Sequence, residues 1–448
     1  MKPPDTAPSG SAAARGSRPN ILLFLPDQHR HDWLGTTPNL PARTPNLDAM
    51  AGRGMRFTNA STPSPLCAPA RACLDAGVEY DRCEVPGNDA DYPLNKRTTY
   101  GLLRKAGYHV MGCGKFDLAK AKLDWAVKGT RRLKKWGFSD GVDCEGKWDG
   151  FATGTPKPKG PYWAYLHEVG LAEVHHRDMA LRKEQGPAAA FPTQLPDEAY
   201  CDNWLARIGL NLLRHAPAGK PWFLQVNFVG PHDPWDVTER MAKQYEGVDF
   251  PHPIDADQFT TAQYCAVRRN YSAMVENIDR WVGLFQEELG RRGELEKTLL
   301  VYSSDHGEML GDHDAWGKSL PFQASIGVPL IFCGPGVHRG YAHDGPATIL
   351  DLTATFLDYA GVPIPDDVDS RSMLPLLARE TSQLREAVIC GLADWRLAFE
   401  GRYKLVQYKG QEPVLRDIGN DPAERRDIAK AQIAQPVAEY LRDFLPEF

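Results

Sequence analysis

Several polar residues of this chain sit at spacings that chemistry can use. Asp27 and Gln28 follow one apolar run, ILLFL, and Asp305 and His306 follow another, LLVY. Together they offer oxygen and imidazole donors, a set that suits one divalent ion such as Ca²⁺, Mn²⁺ or Mg²⁺. A second group is cationic or proton-donating: Arg71, Lys115, His232 and Lys318. A metal and several cations around one nucleophile is an arrangement for attacking a sulfate or phosphate ester. Cys67 occupies the nucleophile's place. In PSPLCAPARACLDAG it stands at a helix entrance, with Pro69 tolerated in the first turn and Arg71 one turn on, on the same face. Free N–H groups at a helix start and one guanidinium favour an anion. The other reading of this stretch is a structural cysteine beside a surface arginine. A plain thiolate next to a metal would bind it or be oxidised. The cluster therefore asks for an oxygen nucleophile where the sequence has sulfur.

These residues need elements that bring them together. Short apolar runs at 21–25, 108–111, 222–229, 299–302 and 328–332 read as buried parallel strands. The first four end in Pro26-Asp27-Gln28, Gly114-Lys115, Pro231-His232-Asp233 and Asp305-His306-Gly307. In open α/β sheets ligands bind outside the carboxyl ends of the strands, so one sheet would gather all four ends on one edge. Helical patterns at 44–53 (Thr cap, then Pro), 100–106, 197–215 and 264–290 alternate with the strands and imply an α/β sheet. After Gly391, WRLAFE and YKLVQY alternate like a hairpin of half-exposed strands joined at Gly401 and Arg402, followed by a last helix near 433–444. The expected organisation is a tail at 1–18, an α/β catalytic domain at 19–385, and a C-terminal subdomain at 386–448 with an antiparallel sheet and a helix.

Bulk properties exclude several classes. The 448 residues carry a net charge of −6, with 42% apolar and 25% charged residues, as in an ordinary soluble enzyme. The densest basic run, Arg131 to Lys135, reads as a solvated helix face, and no nucleic-acid partner is expected. Met1 to Arg18 is polar and rich in small residues, and reads as a disordered tail rather than a secretory signal. No apolar stretch approaches the length that spans a bilayer. The nine cysteines are scattered without a C-x-x-C pair, which argues against a disulfide framework or structural zinc. A cytoplasmic protein, with no membrane partner, is the expectation, with a periplasmic one as the alternative if a leader precedes this sequence.

Seven ordered blocks between Pro19 and about Ala429 resemble the sulfatase family of the alkaline phosphatase superfamily. RPNILLFLPDQHRHDWLG resembles its opening strand and metal-binding Asp. CAPAR fits C-x-P-x-R, whose cysteine becomes formylglycine. LLRKAGYHVMGCGKFDL resembles the block ending G-K-x-H-L, and NFVGPHDPW the block of the catalytic histidine. SSDHGEMLGDHDAWGKSLPFQASIGVPLIF carries further metal ligands and a lysine. DLTATFLDYAGVPIP and RYKLVQYKGQEPVLRDIGNDPAERRDIA resemble late blocks. The resemblance implies an alkaline phosphatase/sulfatase-like fold: a large, mostly parallel sheet flanked by helices, plus a small antiparallel one. It implies formylglycine made from Cys67 by a formylglycine-generating enzyme, and one cation, Ca²⁺ by preference with Mn²⁺ or Mg²⁺ as alternatives. Asp27, Gln28, Asp305 and His306, with position 67, would hold that cation. A hydroxyl of the formylglycine hydrate would attack a sulfate ester's sulfur. His232 and Lys318 would protonate the departing alcohol, Arg71 would hold the hydrate, and Lys115 and Lys318 would offset sulfuryl charge.

Three residues depart from the family pattern. Asp117 stands where G-K-x-H-L has His, Ala70 replaces a Ser and Ala76 a Thr. Asp117 would either meet a cationic or hydroxyl-rich part of the substrate or orient Lys115. The expected activity is hydrolysis of sulfate monoesters, with a small-molecule or oligosaccharide sulfate ester as substrate and a carbohydrate sulfate preferred. The rivals are a phosphonate monoester or phosphodiester hydrolase, a non-catalytic binding homologue and, last, a zinc phosphatase. His29, Arg30, His31, His313 and Trp316 lie near the clusters, to line the pocket or to pack behind it. The insert at 118–193 is rich in aromatic and polar residues that could stack on a sugar or pack the loop down.

Overall fold

The computed structural model describes residues 18–448, so most of the expected tail lies outside the described residues. Eight strands form the main sheet. They are β1 (Asn20–Phe24), β2 (Met55–Ser61), β3 (His109–Gly114), β4 (Asp140–Asp143), β5 (Trp222–Asn227), β6 (Thr298–Tyr302), β7 (Leu330–Cys333) and β8 (Tyr341–Thr348). Their order is β4-β3-β5-β1-β6-β7-β2-β8. The four strands marked by polar ends, β3, β5, β1 and β6, are consecutive and mutually parallel, so their carboxyl ends share one edge.

Those strands read as unbroken apolar runs because both faces of the sheet are covered. Ile21, Leu23, Phe223, Leu299 and Val301 enter one core, while Leu22, Phe24, Leu224, Val226, Leu300 and Tyr302 enter the other. Period-two alternation assigns each residue its side. The expectation of a parallel strand at 328–332 needs correcting, because β7 runs antiparallel to both β6 and β2. A parallel pair needs a long crossover, usually a helix. Between β6 and β7 the chain instead loops back over the site through one short turn and the four-residue helix Gln323–Ile326.

The helices fall near their predicted places with shifted starts. Thr44 precedes the helix Pro45–Gly52, but its side chain makes no cap bond; its hydroxyl accepts from Gly35 N and donates to Asp48. The segment at 197–215 opens as a short 3-10 turn before the helix Cys201–Arg214. The long helix Thr261–Arg291 starts earlier than its apolar pattern suggests, at a capping box made by Thr260 and Gln263. No helix of the described residues is long and apolar enough to cross a membrane.

A second, antiparallel sheet is ordered β12-β11-β10-β9, from β9 (Val388–Leu392), β10 (Trp395–Phe399), β11 (Tyr403–Tyr408) and β12 (Val414–Asp417). Trp395 pairs with Tyr408 and Phe399 with Lys404 across the expected hairpin. β10 is not half-exposed as its alternation suggests; all five of its residues are buried. Trp395, Leu397 and Phe399 fill one core, Ala398 packs under the helix Gln435–Arg442, and the Arg396 guanidinium is paired with Asp81. This sheet is tied to both sides of the site. Gly391 N donates to Pro63 O, upstream of Cys67, and Trp395 Nε1 donates to Ser319 O, next to Lys318.

Candidate active site

Cys67 opens the helix Cys67–Ala76, which ends at Gly77 in the left-handed conformation that glycine allows. The Cys67 sulfur is buried, 3.2 Å from His306 Nε2 and 3.8 Å from Asp27 Oδ1. Asp27 is fixed where β1 runs out along β5, its N–H shared between Phe228 O at 3.1 Å and Gly230 O at 3.2 Å. Asp305 Oδ1 accepts from the backbone N–H of Gln28 at 3.0 Å and of His306 at 2.9 Å, so one carboxylate ties the ends of β1 and β6 together.

Asp27, Cys67, Asp305 and His306 each offer a ligand atom within 4.8 Å of the others, and all four are buried. His306 Nδ1 lies 3.0 Å from Gly307 O. An N–H donated there leaves Nε2 free to face the two carboxylates, as in a ligand oriented from behind. Two carboxylates and an imidazole around position 67 fit a divalent cation of the oxygen-preferring or borderline kind.

Positive charge surrounds this group. The Arg71 guanidinium spans Asp305 Oδ2, 3.0 Å from Nε, and Asp27 Oδ2 at 3.4 Å, and donates to Lys115 O at 2.5 Å. It therefore holds the two carboxylates and the end of β3 in one frame. Lys115 Nζ bonds Asp27 Oδ2 and lies 3.2 Å from Asp117 Oδ2. Burial raises the Asp27 carboxyl, but Lys115, His232, Arg71 and Lys318 outweigh it and hold Asp27 well below the usual range. Burial and Asp27 likewise raise the Cys67 thiol, yet Lys115, Lys318 and His306 bring it well below its ordinary value. The pocket is thus built for negative charge at position 67.

The other half of the site centres on His232. Its Nδ1 is 2.6 Å from Asp233 O and 3.1 Å from Asp233 Oδ1, and its Nε2 is 2.7 Å from Lys318 Nζ. Burial and Lys318 depress this imidazole, but Asp233 and Asp27 win and raise it to about 9. Gln28, expected among the metal ligands, turns its amide to this half. Its oxygen accepts from Lys318, and its nitrogen donates to Glu308 and, at 3.4 Å, to Asp233. Gln28 holds a left-handed φ of 71°, a strained backbone of the kind that collects at functional sites.

Asp117 does not face outward. It is buried, and its Oδ2 receives both Lys115 and Lys120, so of its two expected roles the structure has the one that orients Lys115. His29 is buried against Tyr302 and Trp33, Arg30 pairs with Asp32 and Asp312, and Trp316 stacks on Tyr264. His31 and His313 line a separate cavity against the C-terminal segment.

Sequence reasoning missed four contributors. Asp233 and Glu308 sit beside motif residues; Glu308 also accepts from Leu310 N and Gly317 N, fixing the loop that returns with Lys318. Lys147 and Trp148 come from the insert. Lys147 Nζ holds His232 O at 2.9 Å, Pro234 O at 3.2 Å and Asp236 Oδ1 at 2.6 Å. Trp148 Nε1 donates to Asp233 Oδ2 at 2.6 Å. A lone lysine among aromatics, in KWDGF, was the available signal. Of the two expected uses of the insert, the packing one is seen in the structure. Tyr162 and Trp163 pack into the core, while Trp148 and Phe151, with Asp233 and Trp235, line a cavity of about 530 Å³ beside His232.

Known proteins resemble this chain in sequence and in fold. The family model described as Sulfatase matches residues 19–362, and the one described as N-sulphoglucosamine sulphohydrolase, C-terminal, matches 311–448. The chain is 26% identical to an arylsulfatase of Clostridium perfringens, over 96% of this chain and 94% of that one. Its fold is similar to the crystal structure of a phosphonate monoester hydrolase of Agrobacterium radiobacter, at TM-score 0.80 and 24% identity over 95% of this chain and 94% of that one. It is also similar to a protein solved with its substrate D-glucosamine-2-N,6-O-disulfate, at TM-score 0.76 and 20% identity over 96% and 97% of the two chains. With a family model over most of its length and the family's motif residues gathered around Cys67, this chain belongs to the sulfatase family of the alkaline phosphatase superfamily and is a sulfuric ester hydrolase.

Proposed function

We propose that the enzyme removes sulfate from a sulfated carbohydrate, with Cys67 converted to formylglycine and one Ca²⁺ bound beside it. The observation that carries this reading is the buried group of Asp27, Cys67, Asp305 and His306 enclosed by Arg71, Lys115 and Lys318. Asp27, Asp305 and His306 would hold the cation. Gln28 is the fourth proposed donor, which requires its amide oxygen to exchange Lys318 for the ion. When bound, the cation and the hydrated aldehyde together supply an activated oxygen nucleophile at position 67.

The rest of the work belongs to the chain's own side chains. Lys115 and Lys318 offset charge on the sulfuryl oxygens. Arg71 keeps Asp27 and Asp305 in place, with residue 67 one turn away on the same helix. His232, raised to about 9, is placed to act as the acid: it would give a proton from Nε2 to the departing alcohol once that oxygen takes the place of Lys318 at Nε2. Asp233, held by Trp148, fixes the ring by receiving Nδ1–H. The cavity lined by Trp148, Phe151 and Trp235 reaches Asp233, next to this acid, and its aromatic faces suit a sugar ring.

Two measurements test this. A peptide mass spectrum across Cys67, on protein made together with a formylglycine-generating enzyme, is expected to show aldehyde or its hydrate. An unmodified thiol would sink the mechanism. The Ca²⁺-loaded enzyme is then expected to turn over a sulfated glucosamine faster than a phosphonate monoester. The reverse order would move the reading to phosphonate hydrolysis.

A further inference from the structure

We propose that Lys120 supplies the positive charge at the sulfate subsite that the family pattern draws from a histidine at position 117. This rests on the sulfatase reading above and adds a specific residue to it. The argument begins with charge. In a G-K-x-H pattern the lysine and a protonated imidazole both present cations to the ester. Here Asp117 stands in the histidine's place. Lys115 paired with Asp117 alone would be neutral, and Lys115 is already bonded to Asp27. A subsite reduced in this way would lose much of its attraction for a sulfuryl group.

The structure supplies the missing cation three residues on. Lys120 Nζ lies 3.0 Å from Asp117 Oδ2, the same oxygen that Lys115 approaches at 3.2 Å. One carboxylate oxygen bridges two ammonium groups, so Lys120 offsets the Asp117 charge that would otherwise be set against Lys115 alone. Lys120 is only 6% exposed and Asp117 only 1%, so little water screens them. The second partner of Lys120, Asp149 at 3.3 Å, has a side chain 24% exposed and belongs to the solvent side. Asp117 Oδ1 is buried without a hydrogen-bond partner, so Asp117 is held here by its two lysines. Its φ of 53° lies in the left-handed region, where Asp and His are both enriched among non-glycine residues. The backbone at 117 therefore suits either residue, and the exchange of His for Asp is possible once Lys120 is present.

The test reads anion binding as well as turnover, on the Ca²⁺-loaded full chain. Inorganic sulfate binding by calorimetry is the first readout. Lys120→Gln is expected to weaken sulfate about 10- to 100-fold and to raise KM for the sulfate ester in step. Lys120→Arg, which keeps the charge, is expected to stay within about threefold of wild type. Asp117→His combined with Lys120→Gln is expected to recover most of the lost affinity. Thermal melting separates these effects from failure to fold. Sulfate affinity and KM unchanged in Lys120→Gln would overturn the proposal, and so would equal losses in the Gln and Arg variants at unchanged melting temperature. A wild type that binds sulfate but turns over no sulfate ester would count against the sulfatase reading alone, because the binding comparison stands without turnover.

Discussion

Around Cys67, Asp27, Lys115, Asp305 and His306 lie within a few residues of a strand end, and Arg71 lies one turn along the helix that Cys67 opens. Around His232, the proposed acid, the adjacent Asp233 is joined by groups that come from an insert and a returning loop rather than from strand ends. Lys147 reaches His232 O across 85 positions, and Lys318 reaches Gln28 across 290. The first half is a property of the sheet: β3, β5, β1 and β6 are neighbours, so their ends converge wherever this sheet forms. The second half is assembled from an insert and a returning loop. A site built this way can keep its reaction centre fixed while its leaving-group side varies.

Breaking the first half should have the largest effect. Asp305→Asn removes the charge that faces Arg71 and a proposed cation ligand, while its remaining oxygen can still accept from the Gln28 and His306 N–H groups. Turnover is expected to fall at least about 10³-fold, on good and poor leaving groups alike. Calcium affinity, read by calorimetry, should fall with it. A variant that keeps wild-type calcium binding would remove Asp305 from the ligand set.

Breaking the second half should act selectively. His232→Ala is expected to cost about 10²- to 10⁴-fold in kcat on alkyl or sugar sulfates, and far less on an activated aryl sulfate, whose leaving group needs no proton. The sign of the pH dependence follows from the raised value. The imidazolium is present below about 9 and lost above it, so wild-type kcat on a sugar sulfate should decline as pH rises through about 9. Asp233→Asn removes the first of the charges that raise it and should draw that decline down toward the ordinary value of 6.5. An alkaline limb that stays in place would show that another group carries the proton.

The same contrast governs what could be read in advance. Residues 27, 67, 71, 115, 305 and 306 were legible because each sits at a strand end or a helix entrance, and topology alone brings them together. Gln28 is read as a metal ligand from its place beside Asp27, and only the direction of its amide was not legible. Its amide faces Lys318 and Glu308 because a left-handed backbone turns it, which composition and spacing do not reveal. The direction of β7 was missed because an apolar run has no polarity of its own; the length and content of the connection decide it. The burial of β10 was missed because Arg396 and Ala398 look like an exposed face until Asp81 and the C-terminal helix cover them. Lys147 and Lys120 were missed for a related reason: a buried lysine resembles a surface one until its carboxylate is found in space.

Trp148→Phe gives the smallest and most discriminating effect. The substitution keeps an aromatic face on the cavity but deletes the N–H that holds Asp233 Oδ2. A hydrogen bond to a charged group contributes about 1.5–3 kcal/mol, and the partly exposed Asp233 can recover some of that from water. A loss of about 3- to 10-fold in kcat on a sugar sulfate is expected, with little change on an activated aryl sulfate and none in calcium affinity. If Trp148 served only as a stacking platform, Phe would replace it with a change in KM and none in kcat. A kcat effect confined to poor leaving groups would instead place Trp148 in the same functional unit as His232 and Asp233. It would show that the insert acts through the position of the acid as well as through contact with the sugar.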